Sequence, residues 1–152
     1  SAGDRLGGQG EDRERPLDEV GHRQALGLVD VLEALGVRRV LSADVLRCLD
    51  TVGPFASARG ITIESEPLLS ESGFAAAPEA AVERFLAVIT EGDPAVVCGQ
   101  GGTMPDLITR ACQQLGSRAS VESVPKGGFV VLHVDADHHR ELVGIDHYPP
   151  IV

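Results

Sequence analysis

Apolar positions recur along this chain in two periods, and the two periods alternate. Val20, Ala25, Leu28, Val29, Leu32 and Leu35 form a stripe at helical spacing, with Pro16 and Asp18 ahead of it and Gly36 behind. Arg38 to Ser42 then reads as a short strand. A second helical pattern runs from about Asp44 to Arg59 and stops at Gly60; Pro54 inside it predicts a kink or a division. Ile61 to Glu64 alternates and is β-branched, the mark of a strand. Pro67 to Pro78 reads as loop, and Pro78 to Ile89 as a helix with proline in its first turn. Pro94 to Cys98 is a short apolar run of buried-strand type. A glycine turn, Gly99 to Gly102, leads into a helix that starts near Thr103, with Pro105 and Asp106 close to a capping box, and ends at Gly116. Residues 117–127 are a polar loop. Phe129 to Val134 and Leu142 to Tyr148 flank a polar turn and predict a terminal hairpin.

Strands that alternate with helices predict an α/β domain with a mostly parallel sheet, and the hairpin adds antiparallel character at an edge. In such sheets ligands sit at the carboxyl ends of the strands. Two segments put polar groups there: Ser42 through Arg47, and Gly99 through Thr103. An arginine at a helix start can grip a phosphate with two parallel hydrogen bonds, aided by the positive end of the helix. Arg47 also has a plainer reading, as a surface partner of Asp44 or Asp50. The glycine turn, Gly101 included, lets backbone N–H groups approach an anion, yet such turns are common without any ligand. It is neither a Walker loop nor a GxGxxG turn.

Other candidates are weaker. Arg5, Arg13 and Arg15 can rim an anion site or pair with Glu11, Asp12 and Glu14. Glu71 can donate a proton or simply face water. His133, Asp135, Asp137, His138, His139, Asp146 and His147 crowd the hairpin, where strand alternation scatters them over both faces. No metal site and no cofactor are expected.

Composition narrows the function classes. The 152 residues suit one domain. The net charge of −10 repels nucleic acid polymers and anionic membranes at long range. Aromatics are 3% of the chain, with no Trp and only Tyr148 of its kind, so platforms for base stacking are nearly absent. Cys48, Cys98 and Cys112 are odd in number and match no zinc or redox spacing, which fits a reducing, cytoplasmic compartment. No apolar run approaches the ~18–20 residues of a membrane span. The start Ser1-Ala2-Gly3 is no signal peptide and carries no initiator Met, so a fragment or a processed product is expected.

In this order the pieces resemble the histidine phosphatase (phosphoglycerate mutase-like) superfamily. Arg15-Pro16-Leu17-Asp18, then Gly21 and Gln24-Ala25, looks like the family's R-P-L-[TD]-x-x-G-x-x-Q-A helix start. Ser42 to Thr51 looks like its S-x-x-x-x-R-x-x-x-T segment, and Leu68-Leu69-Ser70-Glu71 like the stretch with its acidic proton donor. Ala95 to Gln100 is similar to the strand that leads to its second catalytic histidine. A closer resemblance is to the C-terminal domain of long, two-domain MutT-type Nudix hydrolases, through Cys98 to Ile108, Lys126-Gly127 and Glu141 to Gly144.

The resemblance implies a three-layer phosphoglycerate mutase-like fold over residues 1–152. It implies phosphoryl transfer to a histidine followed by hydrolysis, with a small phosphorylated substrate and an N-terminal Nudix domain as partners. Arg47, Arg5, Arg15 and Gly101 would hold the phosphate, with Glu71 and Gln100 as the catalytic pair. Two departures accompany it. The first strand and its Arg-His-Gly/Ala nucleophile motif are missing, and Gln100 replaces the second histidine. A Nudix helix of the R-E-x-x-E-E type is also absent. The alternative is a non-catalytic module that binds phosphate or docks on a partner domain.

Overall fold

The computed structural model describes residues 14–124, 128–135 and 141–150. Helix α1 (Glu19–Ala34) starts at Asp18, whose Oδ1 accepts the Gly21 N–H at 2.6 Å. Gly36, at φ 71°, turns the chain out of it in the left-handed conformation. Strand β1 (Arg39–Ser42) leads to α2 (Leu46–Arg59), which ends on left-handed Gly60 at φ 67°. Strand β2 (Ile63–Ser65), a 3-10 turn (Pro67–Leu69), α3 (Glu71–Ala76) and α4 (Pro78–Ile89) follow. Strand β3 (Ala95–Cys98) then precedes α5 (Met104–Gln114), and β4 (Phe129–Asp135) with β5 (Glu141–Tyr148) closes the chain as an antiparallel hairpin.

Strands β2, β1 and β3 form a parallel sheet in that order, with Val40 opposite Ile63 and Val96. Alternation along β1 sends neighbouring residues to opposite faces. Val40 joins Leu32, Val52 and Phe55 in a cluster with α1 and α2. Leu41 joins Val82, Phe85, Leu107 and Ala111 in a cluster with α4 and α5. The sheet is thus the middle of three layers, as the resemblance implied. Among the described residues β3 hydrogen-bonds to another strand along one edge only, and the β4–β5 hairpin forms a separate sheet. No helix among the described residues is long and apolar enough to cross a membrane.

Three local expectations need correction. Helix α2 runs through Pro54 without a break, because Cys48, Val52, Phe55 and Ala56 bury one face of it on both sides of the proline. The stretch from Pro67 to Pro78 is not loop. Glu66 caps the 3-10 turn through its contact with the Leu68 N–H, and the Ser70 hydroxyl accepts the Gly73 N–H at 3.0 Å to start α3. Elements this short have too few turns to show an apolar period. Thr103 precedes α5 but makes no side-chain cap; it is buried, and its N–H donates to the Gln100 carbonyl at 2.9 Å.

Candidate functional site

The carboxyl ends of β1 and β3 lie side by side, with Ser42 opposite Cys98 and the Ala43 N–H donating to the Cys98 carbonyl at 2.8 Å. Both chains then turn into helices. After β1 the chain enters α2, whose second residue is Arg47. Arg47 is 4% exposed, so the surface reading fails: an arginine so buried stands in a site or a core network. No side chain caps α2 at Val45, which leaves the positive end of the helix beside this arginine. The Thr51 hydroxyl donates to the Arg47 carbonyl at 2.7 Å and ties the first turn to the next.

After β3 the chain makes the glycine turn. Gln100 is buried, and its N–H donates to the Leu69 carbonyl at 3.2 Å. Its Oε1 accepts the Glu71 N–H at 2.7 Å. A backbone N–H needs an acceptor, so this bond fixes the amide: oxygen toward Glu71, and the Nε2 donors toward other partners. Glu71 is the first residue of α3, and its carboxylate lies against Gly102; a Cβ there would stand 3.0 Å from Oε1. Gly99 allows a second close approach, since a Cβ would meet Met104 Sδ at 2.5 Å and the Leu69 carbonyl at 3.0 Å. Glu71, Gln100 and the glycine turn are therefore one assembly. Gly101 is exposed within it.

Beside Arg47, the thiols of Cys48 and Cys98 shift each other's titration in opposite directions. Cys98 holds the Cys48 thiol below the usual thiol range against the opposing effect of burial, and Arg47 pulls it the same way. The Cys98 thiol is pushed well up, by Cys48 and by burial.

Arg15 precedes α1, with Nη1 and Nη2 both buried. Gln24, on α1, is buried too, and its Oε1 has no hydrogen-bond partner among the described residues. Arg5 and Arg13 lie outside the described residues, as do Asp137, His138 and His139. Of the hairpin groups, His133 contacts Asp146 at 2.8 Å as an exposed pair, and no cluster fit for a metal ion occurs among the described residues. Next to the glycine turn, a cleft of about 550 Å³ is lined by Gly101, Gly102, Pro105, Asp106, Thr109 and residues 120–124.

Comparison with known proteins places this geometry in context. The family model for the histidine phosphatase superfamily (branch 1) matches residues 2–133. An 8-oxo-(d)GTP phosphatase of Mycolicibacterium smegmatis is 37% identical over 150 residues, which is 99% of this chain and 46% of that protein. The chain thus spans less than half the length of that relative. Among solved structures, a mycobacterial glucosyl-3-phosphoglycerate phosphatase complexed with VO3 superposes with a TM-score of 0.63 at 17% identity, covering 91% of this chain and 88% of that one. The protein histidine phosphatase SixA complexed with tungstate gives 0.61 at 17% identity, covering 96% and 92%. These structural likenesses support the fold. The match across most of its length makes this chain a member of the histidine phosphatase superfamily, branch 1.

Proposed function

We propose that the ends of β1 and β3 bind the phosphoryl group of a small phosphate ester or anhydride, as part of a hydrolase. The observation that carries this reading is the joining of Glu71 and Gln100 by one hydrogen bond, at the strand ends where Arg47 is buried. Arg47 and the Gln100 Nε2 donors would hold the phosphoryl oxygens, with Arg15, Arg5 and the Gly101 backbone at the rim. Glu71 would protonate the leaving oxygen. The two structural relatives carry VO3 and tungstate, oxyanions of a phosphate-like kind, in agreement with this assignment.

The nucleophile in this reading is a histidine upstream of residue 1, at the end of a strand that pairs with the edge of β3 that no strand among the described residues occupies. The one-sided pairing of β3 and its separation from the hairpin support such a strand. The name of the mycobacterial relative supports a nucleotide-type phosphate as substrate, and its greater length leaves room for a further domain, for which the resemblance of Cys98 to Ile108 suggests the Nudix type. The cleft beside Gly101 and Gly102 would take the organic part of the substrate. Phosphohistidine is the other substrate class to test. The three free cysteines agree with a cytoplasmic setting.

The test is binding of inorganic phosphate or vanadate by calorimetry. Arg47→Ala should weaken affinity at least ~30-fold, the effect of losing a charged, bidentate hydrogen-bonding partner. Unchanged affinity overturns the site. Gln100 favours one competing reading, since a neutral amide in place of a histidine carries no charge. A docking module of that kind would bind phosphate yet hydrolyse no ester, even when the upstream histidine is present.

A further inference from the structure

We infer that Thr109 is a positioning residue that latches residues 120–124 in place as one wall of the cleft beside the glycine turn, and that this wall selects the organic group of the substrate. The cleft, of about 550 Å³, has two sides. One is the glycine turn with the first two turns of α5, through Gly102, Pro105, Asp106 and Thr109; the other is the strap of residues 120–124. The strap belongs to no helix or strand. Among the described residues, no backbone-to-backbone hydrogen bond involves residues 118–124. Thr109 supplies what is missing. Its Oγ1 accepts the Val121 N–H at 2.9 Å and donates to the Val121 carbonyl at 3.3 Å. One hydroxyl thus serves both peptide groups of one residue, as a partner strand would.

These bonds matter because of where Val121 sits. It is buried, so its peptide groups have little water to turn to and depend on that hydroxyl. Its side chain joins Leu107, Ile108 and Ala111 in the core. Apolar packing is non-directional, so it holds the strap near α5 without fixing how the strap is turned. The two hydrogen bonds fix that turn, and with it the parts of Ser120, Glu122 and Ser123 that line the cleft. The space is that of a small-molecule pocket, well beyond what a bare phosphate fills. Glu122, and Asp106 in its exposed pair with Arg110, accept from N–H and O–H groups, so a donor-rich group such as a nucleoside fits. That the cleft holds the organic part of a phosphate ester rests on the proposed function; the latch does not.

The experiment is calorimetric binding of guanosine 5′-monophosphate and of inorganic phosphate to the parent and to Thr109→Val, which keeps the shape and removes both hydrogen bonds. The nucleotide should bind the parent more tightly than phosphate does. In Thr109→Val its affinity should fall at least ~10-fold, because the wall stands in place in a smaller fraction of the molecules, while phosphate affinity stays within about twofold. Thr109→Ser keeps the hydroxyl and should restore nucleotide binding. Amide exchange at Val121 reads the latch directly, and should be faster in Thr109→Val and close to the parent's in Thr109→Ser. Ser123→Trp, at an exposed position of the strap, leaves the latch alone and fills the cleft. It should weaken the nucleotide and not phosphate, and so keeps the test open if Thr109→Val fails to fold. Equal affinity of the parent for the two ligands, an equal loss of both in Thr109→Val, or no loss of either overturns the inference. In each of those cases phosphate binding by the parent, with its dependence on Arg47, still stands as the separate reading of the proposed function. A parent that binds neither ligand removes the proposed function, and the role of the wall falls with it.

Discussion

Gln100 presents its two ends to different partners. The Oε1 end is held by the Glu71 N–H, so only the Nε2 end can donate to an anion. Gln100→Glu separates these roles, since a carboxylate still accepts from Glu71 but donates nothing and adds negative charge. Folding should be unaffected while phosphate affinity falls at least ~10-fold, as judged by thermal melting beside calorimetry. Glu64 offers a test in pH. Its hydrogen bonds with Arg39 at 2.6 and 2.8 Å hold its carboxyl below the ordinary range. A carboxyl depressed on folding stabilises the native state above its unfolded pKa, and that stability is lost as pH falls through the folded pKa. The Tm difference between the parent and Glu64→Gln should therefore be present at pH 7, begin to shrink as pH falls past the ordinary glutamate value of ~4.3, and vanish at still lower pH, below the depressed folded pKa. The side chain is 37% exposed, so the difference should be small and shrink in salt. At this scale the sequence marked Arg47, Glu71 and Gln100 by residue type and order. Burial of Arg47 was hidden, because it depends on how the chain packs around the paired strands.

Elements with several turns were legible and short ones were not. The stripe from Val20 to Leu35 and the alternation of the terminal strands announce themselves because each repeats its period more than once. The 3-10 turn and α3 do not, yet they carry Glu71. What builds them is a close backbone crossing: a Cβ on Gly73 would stand 1.9 Å from the Pro67 carbonyl oxygen. Gly73→Ala should therefore displace the 3-10 turn or the start of α3, lowering stability by about 2–4 kcal/mol as overpacking does at its upper range. Activity should fall with it, since Glu71 moves with α3. Gly53, inside α2, is the control, for a Cβ there meets nothing within 4 Å. Gly53→Ala should raise stability by ~0.5–1 kcal/mol, because alanine restricts the unfolded chain and suits a helix. Urea melts of both variants test the contrast. Pro54 shows the converse failure of local reading: its lost hydrogen bond is outweighed by the packing of Phe55 and Val52 on one continuous face.

Over the whole molecule, the decisive feature is the unequal treatment of the two edges of β3. Side-by-side residues of a strand point their peptide groups to opposite edges. The Cys98 carbonyl accepts from Ala43 and the Pro94 carbonyl from Arg38, so the even-numbered peptide groups of this strand face β1. Ala95 and Val97 therefore turn theirs to the other edge, where no strand among the described residues lies. Strand β3 is thus an edge strand among the described residues, and an unpaired edge on a parallel sheet is unfavourable because buried peptide groups need partners. The partial exposure along β3, against full burial of Val40 and Leu41 in β1, reflects the same imbalance. If an upstream strand fills that edge, amide exchange gives a residue-specific signature. In the 152-residue chain the Val97 N–H should exchange quickly while that of Cys98, facing β1, is protected. In a protein extended by its upstream sequence, the Val97 N–H should slow at least ~10-fold while Cys98 changes little. Equal exchange of Val97 in the two proteins would place the catalytic histidine elsewhere, and would leave Arg47, Gln100 and Glu71 as an anion site without a nucleophile.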